Sequence, residues 1–63
     1  MEGKVKWFNP QKGFGFIEGE DGSDYFVHHS QLPEGVMLNE GDEVTFEGTE
    51  NERGKQAQGV TLK

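Results

Sequence analysis

The chain contains no cysteine, so neither a disulfide nor a thiolate metal site can brace it, and cysteine usage says nothing of its redox compartment. Long apolar runs are missing too. None approaches the ~18 residues needed to span a bilayer, and the first residues lack the apolar stretch of a signal peptide. This composition reads as a cytoplasmic protein with no membrane partner. Basic residues are scarce: six Lys and Arg stand against twelve Asp and Glu, a net charge of −6. Helical periodicity is also absent, because apolar residues nowhere recur at i, i+3, i+4, i+7 over a useful length. Ten glycines and two prolines instead cut the chain into short runs.

Those runs are β-branched and aromatic, which predicts strands at about 2–9, 14–19, 24–29, 42–48 and 56–62. Asn9-Pro10-Gln11-Lys12-Gly13, Glu20-Asp21-Gly22-Ser23 and Asn51-Glu52-Arg53-Gly54 supply the turn chemistry between them. The longest connection, Ser30 to Gly41, crosses from one end of the sheet to another. Five short strands with a long link after the third fit an all-β, five-stranded antiparallel Greek-key barrel. At 63 residues the chain is expected to be a single domain over 1–63, acting as a monomer, with room for one small core.

Strand alternation assigns Val5, Ile17, Tyr25, Val27, Leu32, Val44, Phe46, Val60 and Leu62 to that core. Phe14, Phe16 and Phe26 are then left outside. With no helix to cover them, three rings on one face suit a ligand that itself stacks, because every nucleic-acid base has a π-face. Glycines 13 and 15 would leave the rings unobstructed and let the ligand approach the backbone. Trp7 and Phe8 are adjacent, and strict alternation puts Trp7 inside and Phe8 outside. Both can reach a ligand only if the strand bulges or one ring lies near a rim.

Charge is unevenly distributed. Residues 18–52 hold eleven acids and no Lys or Arg, whereas Lys4, Lys6, Lys12, Arg53, Lys55 and Lys63 lie towards the two ends. If both ends share one side of the fold, an acidic protein still offers a neutral or basic face. Lys6 and Lys12 would meet phosphates beside the rings.

Catalysis finds no support: the carboxylates suit a solvated surface, and no nucleophile motif or phosphate-cradling loop is present. Gly13 and Gly15 precede no helix, which excludes a dinucleotide cofactor. His28 and His29, neighbours on a strand, should point to opposite faces, and no further His or Cys completes a metal site. No metal, cofactor or catalytic residue is expected. The rival to nucleic acid is a protein-interaction module that buries the same aromatic face, and Lys6, Lys12 and Arg53 beside the rings weigh against it.

Gly3-Lys4-Val5-Lys6-Trp7-Phe8-Asn9, Lys12-Gly13-Phe14-Gly15-Phe16-Ile17 and Phe26-Val27-His28 together resemble the cold-shock domain, most closely in small bacterial cold-shock proteins. The resemblance implies an oligonucleotide-binding (OB) barrel that takes single-stranded RNA and DNA with little sequence demand. It further implies an RNA chaperone that keeps transcripts unpaired, with effects on transcription or translation. By the same resemblance Lys6, Trp7, Lys12, Phe14, Phe16, Phe26 and His28 match ligand-contacting positions, Phe8 a flanking aromatic, and Arg53 the basic residue of the last hairpin. It puts Trp7 on the surface, against the alternation count. Three departures stand out. His29 occupies a position usually held by a stacking Phe, Tyr25 stands where Val is common, and the Ser30–Gly41 segment is short and lacks a loop Phe. Val36 and Met37 are the nearest substitutes for that Phe, so a weaker or shorter binding surface is expected.

Overall fold

The computed structural model describes all of residues 1–63. Five strands, β1 (Glu2–Asn9), β2 (Phe14–Gly19), β3 (Asp24–His28), β4 (Glu43–Asn51) and β5 (Gly54–Leu62), close into a barrel in the order β1-β2-β3-β5-β4. The ladders are antiparallel except where β3 meets β5, a parallel contact through Phe26 and Gln56. That contact is the one departure from the expected antiparallel barrel. Closure leaves no strand with an unpaired edge along its whole length, which matters for a small all-β chain.

Turn chemistry sets the first hairpin. The Asn9 side-chain oxygen accepts from the amides of Gln11 (3.0 Å) and Lys12 (3.1 Å), and the Gly13 amide donates to the Asn9 carbonyl at 2.7 Å. Gly13 sits at φ +79°, a conformation that costs glycine little. In the second turn Asp21 accepts from the Ser23 amide and from the Tyr25 hydroxyl at 2.7 Å. These bonds hold the Asp21 carboxyl below the usual carboxylate range, the Ser23 amide first and the Tyr25 hydroxyl second. The Tyr25 phenol is raised in turn, chiefly by the same bond to Asp21.

The core comprises Val5, Ile17, Tyr25, Val27, Leu38, Val44, Phe46, Ala57 and Val60, with Phe8 and Leu32 packed against it. Seven of the nine expected core positions are therefore buried, and the exceptions have physical causes. Leu62 occupies the last rung beside Val44 and is 48% exposed, because the strand ends there. Leu32 is only partly covered. Ala57 and Leu38 are the additions. Gly59, at φ +58°, lies where the β4–β5 register shifts, so Ala57 and Val60 both point inward although they are three positions apart. Leu38 enters the core from the long connection, which no strand period describes.

Strand lengths differ from expectation at three ends. β4 and β5 run on through Thr49↔Gln56, Glu50↔Lys55 and Asn51↔Gly54, a polar ribbon with no apolar alternation to mark it. β3 stops at His28. His29–Gln31 instead form a 3₁₀ turn, in which the Leu32 amide donates to the His29 carbonyl and the Ser30 amide to Nδ1 of His28.

Candidate nucleic-acid interface

A β-bulge in β1 creates the surface. Val5 pairs with Ile17 and Trp7 with Phe16, so Lys6 and Trp7 together oppose a single position of β2. The extra residue reverses the alternation that follows. Trp7 turns outward and is 41% exposed, while Phe8, opposite Gly15, turns inward against the core. Both alternation assignments for this pair are thus corrected, Trp7 from inside to outside and Phe8 from outside to inside.

Two rungs of side chains now run across the sheet on its outer face. Trp7, Phe16, Phe26 and Gln56 occupy one, on β1, β2, β3 and β5. Asn9, Phe14 and His28 occupy the next. The four large rings contact one another in a closed circuit: Trp7 to Phe14 at 5.8 Å, Phe14 to Phe26 at 5.7 Å, Phe26 to Phe16 at 5.7 Å and Phe16 to Trp7 at 5.6 Å. These centroid distances lie inside the favourable range for aromatic pairs, so the rings hold one another in place before any ligand arrives. No helix or loop of the chain makes a second layer over them.

The two glycines have a different role from the one expected. A Cβ on Gly15 would lie 2.3 Å from the Trp7 carbonyl and 3.0 Å from the Phe8 ring, so this glycine admits Phe8 on the inner face. Gly13 is covered by the His29 ring, whose Cδ2 would lie 2.5 Å from an added Cβ. Neither is an open approach to the backbone. The expectation that His28 and His29 point apart is also overturned. Because the strand ends between them, their ring centroids lie 4.3 Å apart.

Charge divides into two groups. Lys6, Arg53 and Lys55 belong to the aromatic side, and Lys12 lies in the β1–β2 turn that leads into Phe14. Lys6 pairs with Asp24 at 3.2 Å, and both groups are about half exposed, so the pair contributes little to stability. Lys12 has no carboxylate within 4.0 Å. Lys55 donates to the Ser23 hydroxyl at 2.8 Å. A depression of about 350 Å³ beside the rings is lined by Phe16, Asp24, Phe26, Arg53, Lys55 and Gln56. Asp24, Lys55 and Gln56 were not singled out as site residues from the sequence. The β3–β5 contact that brings Gln56 beside Phe26 spans thirty residues of chain and leaves no local signal.

Lys4 and Lys63 belong elsewhere, around a second depression with Glu2, Glu18, Glu20 and Glu43. Lys63 bonds Glu2 at 2.5 Å, which lowers the Glu2 carboxyl and raises the Lys63 amine, the hydrogen bond being the larger cause in each. The two chain ends do meet, but their meeting place is rich in acid. The basic side is instead assembled from Lys6, Lys12 and the final hairpin.

A closed five-stranded barrel with an uncovered aromatic face defines a protein of the oligonucleotide-binding class of folds. Residues 1–63 match the model of the 'Cold-shock' DNA-binding domain, and the chain belongs to that family. It is 57% identical over 63 residues to cold shock protein CspD of Bacillus subtilis, covering 95% of this chain and 94% of that one. Cold shock protein CspB of Bacillus caldolyticus is 57% identical over 62 residues, and cold shock-like protein CspC of Bacillus cereus is 52% identical over 62 residues. The Drosophila Unr CSD456 structure superposes with a TM-score of 0.75 at 23% identity, over 98% of this chain and about a quarter (26%) of that one. That likeness concerns the fold alone. Membership implies a nucleic-acid partner, and these small cold-shock proteins are not enzymes. No helix is long and apolar enough to cross a membrane.

Proposed function

We propose that residues 1–63 act as one domain, and as a monomer, that binds single-stranded RNA and DNA with little sequence preference and serves as an RNA chaperone, with consequences for transcription or translation. The observation that carries this reading is the ring circuit of Trp7, Phe14, Phe16 and Phe26 on an uncovered sheet face. Bases stack on Phe14, Phe16 and Phe26, with Trp7 at the entrance and His28 and His29 at the far side. Phe8, packed against the core, supports the platform from beneath. Lys6, Lys12 and Arg53 meet phosphates. Asp24 already holds Lys6, so the ligand must compete for that amine or draw on its remaining donors.

Stacking with few cations has a measurable signature. Oligothymidine affinity should fall with salt along a shallow log–log slope, equivalent to about two to four phosphate contacts, and duplex DNA of the same sequence should compete poorly. A slope equivalent to about six or more contacts, or equal competition by duplex, would overturn the stacking reading.

A further inference from the structure

His29 directly follows the last residue of β3 and opens the 3₁₀ turn, and the fold gives it a specific setting. Its ring lies over Gly13, directly after Lys12, and 4.3 Å from the ring of His28. Both imidazoles are exposed, and His28 stands on the same rung as Phe14. The Phe14 end of the platform therefore holds two imidazoles beside the turn that carries Lys12.

The groups that face the pair carry no opposing charge at contact range. The β1–β2 turn contributes Lys12, β2 contributes Phe14, and the 3₁₀ turn contributes Ser30 and Gln31. Gln31 in turn accepts from the Gly59 amide of β5. On β3 itself the one carboxylate, Asp24, lies at the opposite end and is held by Lys6. No carboxylate oxygen comes within 4.0 Å of either imidazole. No carboxylate therefore answers protonation at contact range, which leaves that role to an anionic ligand.

We infer that Lys12, His28 and His29 form a proton-gated phosphate subsite that strengthens single-strand binding as pH falls. The inference rests on the function proposed above. Ser30 provides the local mechanism. Nδ1 of neutral His28 accepts from the Ser30 amide at 3.2 Å, and the Ser30 hydroxyl, 2.9 Å from the same nitrogen, can accept from Nδ1–H once the ring is charged. Protonation at Nδ1 forfeits the Ser30 amide bond and leaves the Ser30 hydroxyl as its partner, while Nε2–H is free for a phosphate oxygen in both states. Two charged rings at 4.3 Å repel, and a phosphate bridging them removes that repulsion, so the ligand and the second proton bind cooperatively.

The test measures oligothymidine affinity at about pH 8 and about pH 5.5, a range in which imidazole takes up a proton and thymine does not. The unmodified chain should bind roughly 3- to 10-fold more tightly at the lower pH, with a salt slope steeper by about one to two phosphates. In H28Q/H29F the ratio of the two affinities should fall to about one, whatever the affinity at pH 8, with far-UV dichroism confirming the fold at both pH values. Failure to bind at pH 8 would refute the proposed function itself. Binding with a pH ratio near one, or a ratio that survives in H28Q/H29F, would refute the proton-gated subsite alone.

Discussion

Phe14→Ala and Phe26→Ala should each weaken oligothymidine binding by about 1–3 kcal/mol, roughly 5- to 150-fold in Kd, while the barrel stays folded. The separation of the two effects follows from which side of the sheet the rings occupy. Neither ring belongs to the buried cluster; both lie partly exposed on the outer face, where their contacts are with other platform rings. Removing one forfeits two ring pairs, each contributing about 0.5–1.5 kcal/mol beyond the area it covers. Ile17→Ala, by contrast, hollows a site with no exposure at all and should cost about 2–5 kcal/mol, enough to unfold much of so small a domain. Binding titrations and thermal melts on the three variants decide the matter. Loss of folding in Phe26→Ala with retained folding in Ile17→Ala would mean that the faces are inverted.

The second large effect lies in the core. Tyr25 fills a slot between two glycines: a Cβ on Gly19 would lie 2.7 Å from Cε1 of its ring, and a Cβ on Gly48 would lie 2.7 Å from Cε2. The ring cannot step aside, since its hydroxyl is tied to Asp21 at 2.7 Å and Phe46 packs at 5.1 Å. Gly48→Val should therefore destabilise the chain by about 1–3 kcal/mol through overpacking. In a Tyr25→Val background the same substitution should become stabilising, because space is available and Val suits a strand better than Gly. Urea unfolding of the parent, both single variants and the double variant measures this change of sign. Additive effects would show that Tyr25 and Gly48 are not a matched pair.

That slot illustrates what local pattern can and cannot convey. Tyr25 was readable as a core residue, but its dependence on Gly19 and Gly48 was not, because the three come together only when β2, β3 and β4 assemble. The strands, the Phe14–Phe16–Phe26 face and most of the aliphatic core follow from period-two alternation and from turn residues, both local properties. Alternation failed where the backbone inserts a residue. The bulge at Lys6 exchanged the faces of Trp7 and Phe8, and the bulge at Gly59 brought Ala57 inward. Gly59 carried a legible hint, an isolated glycine inside a strand; Lys6 carried none, and the surface position of Trp7 came from family resemblance. Leu38 escaped because it reaches the core from a loop. The pairing of the His28 and His29 rings was hidden for a related reason, since a strand that ends one residue early lets two neighbours lie together.

The central claim is that the outer ring circuit is a stacking surface for bases, and Trp7 reports on it directly. It is the only tryptophan, it is 41% exposed, and it contacts both Phe14 and Phe16. Titration with a short oligothymidine at low salt should quench Trp7 emission in a saturable way, and Phe16→Ala should shift the curve to higher concentration. Emission that stays unchanged while the oligonucleotide binds by an independent measure would contradict the account.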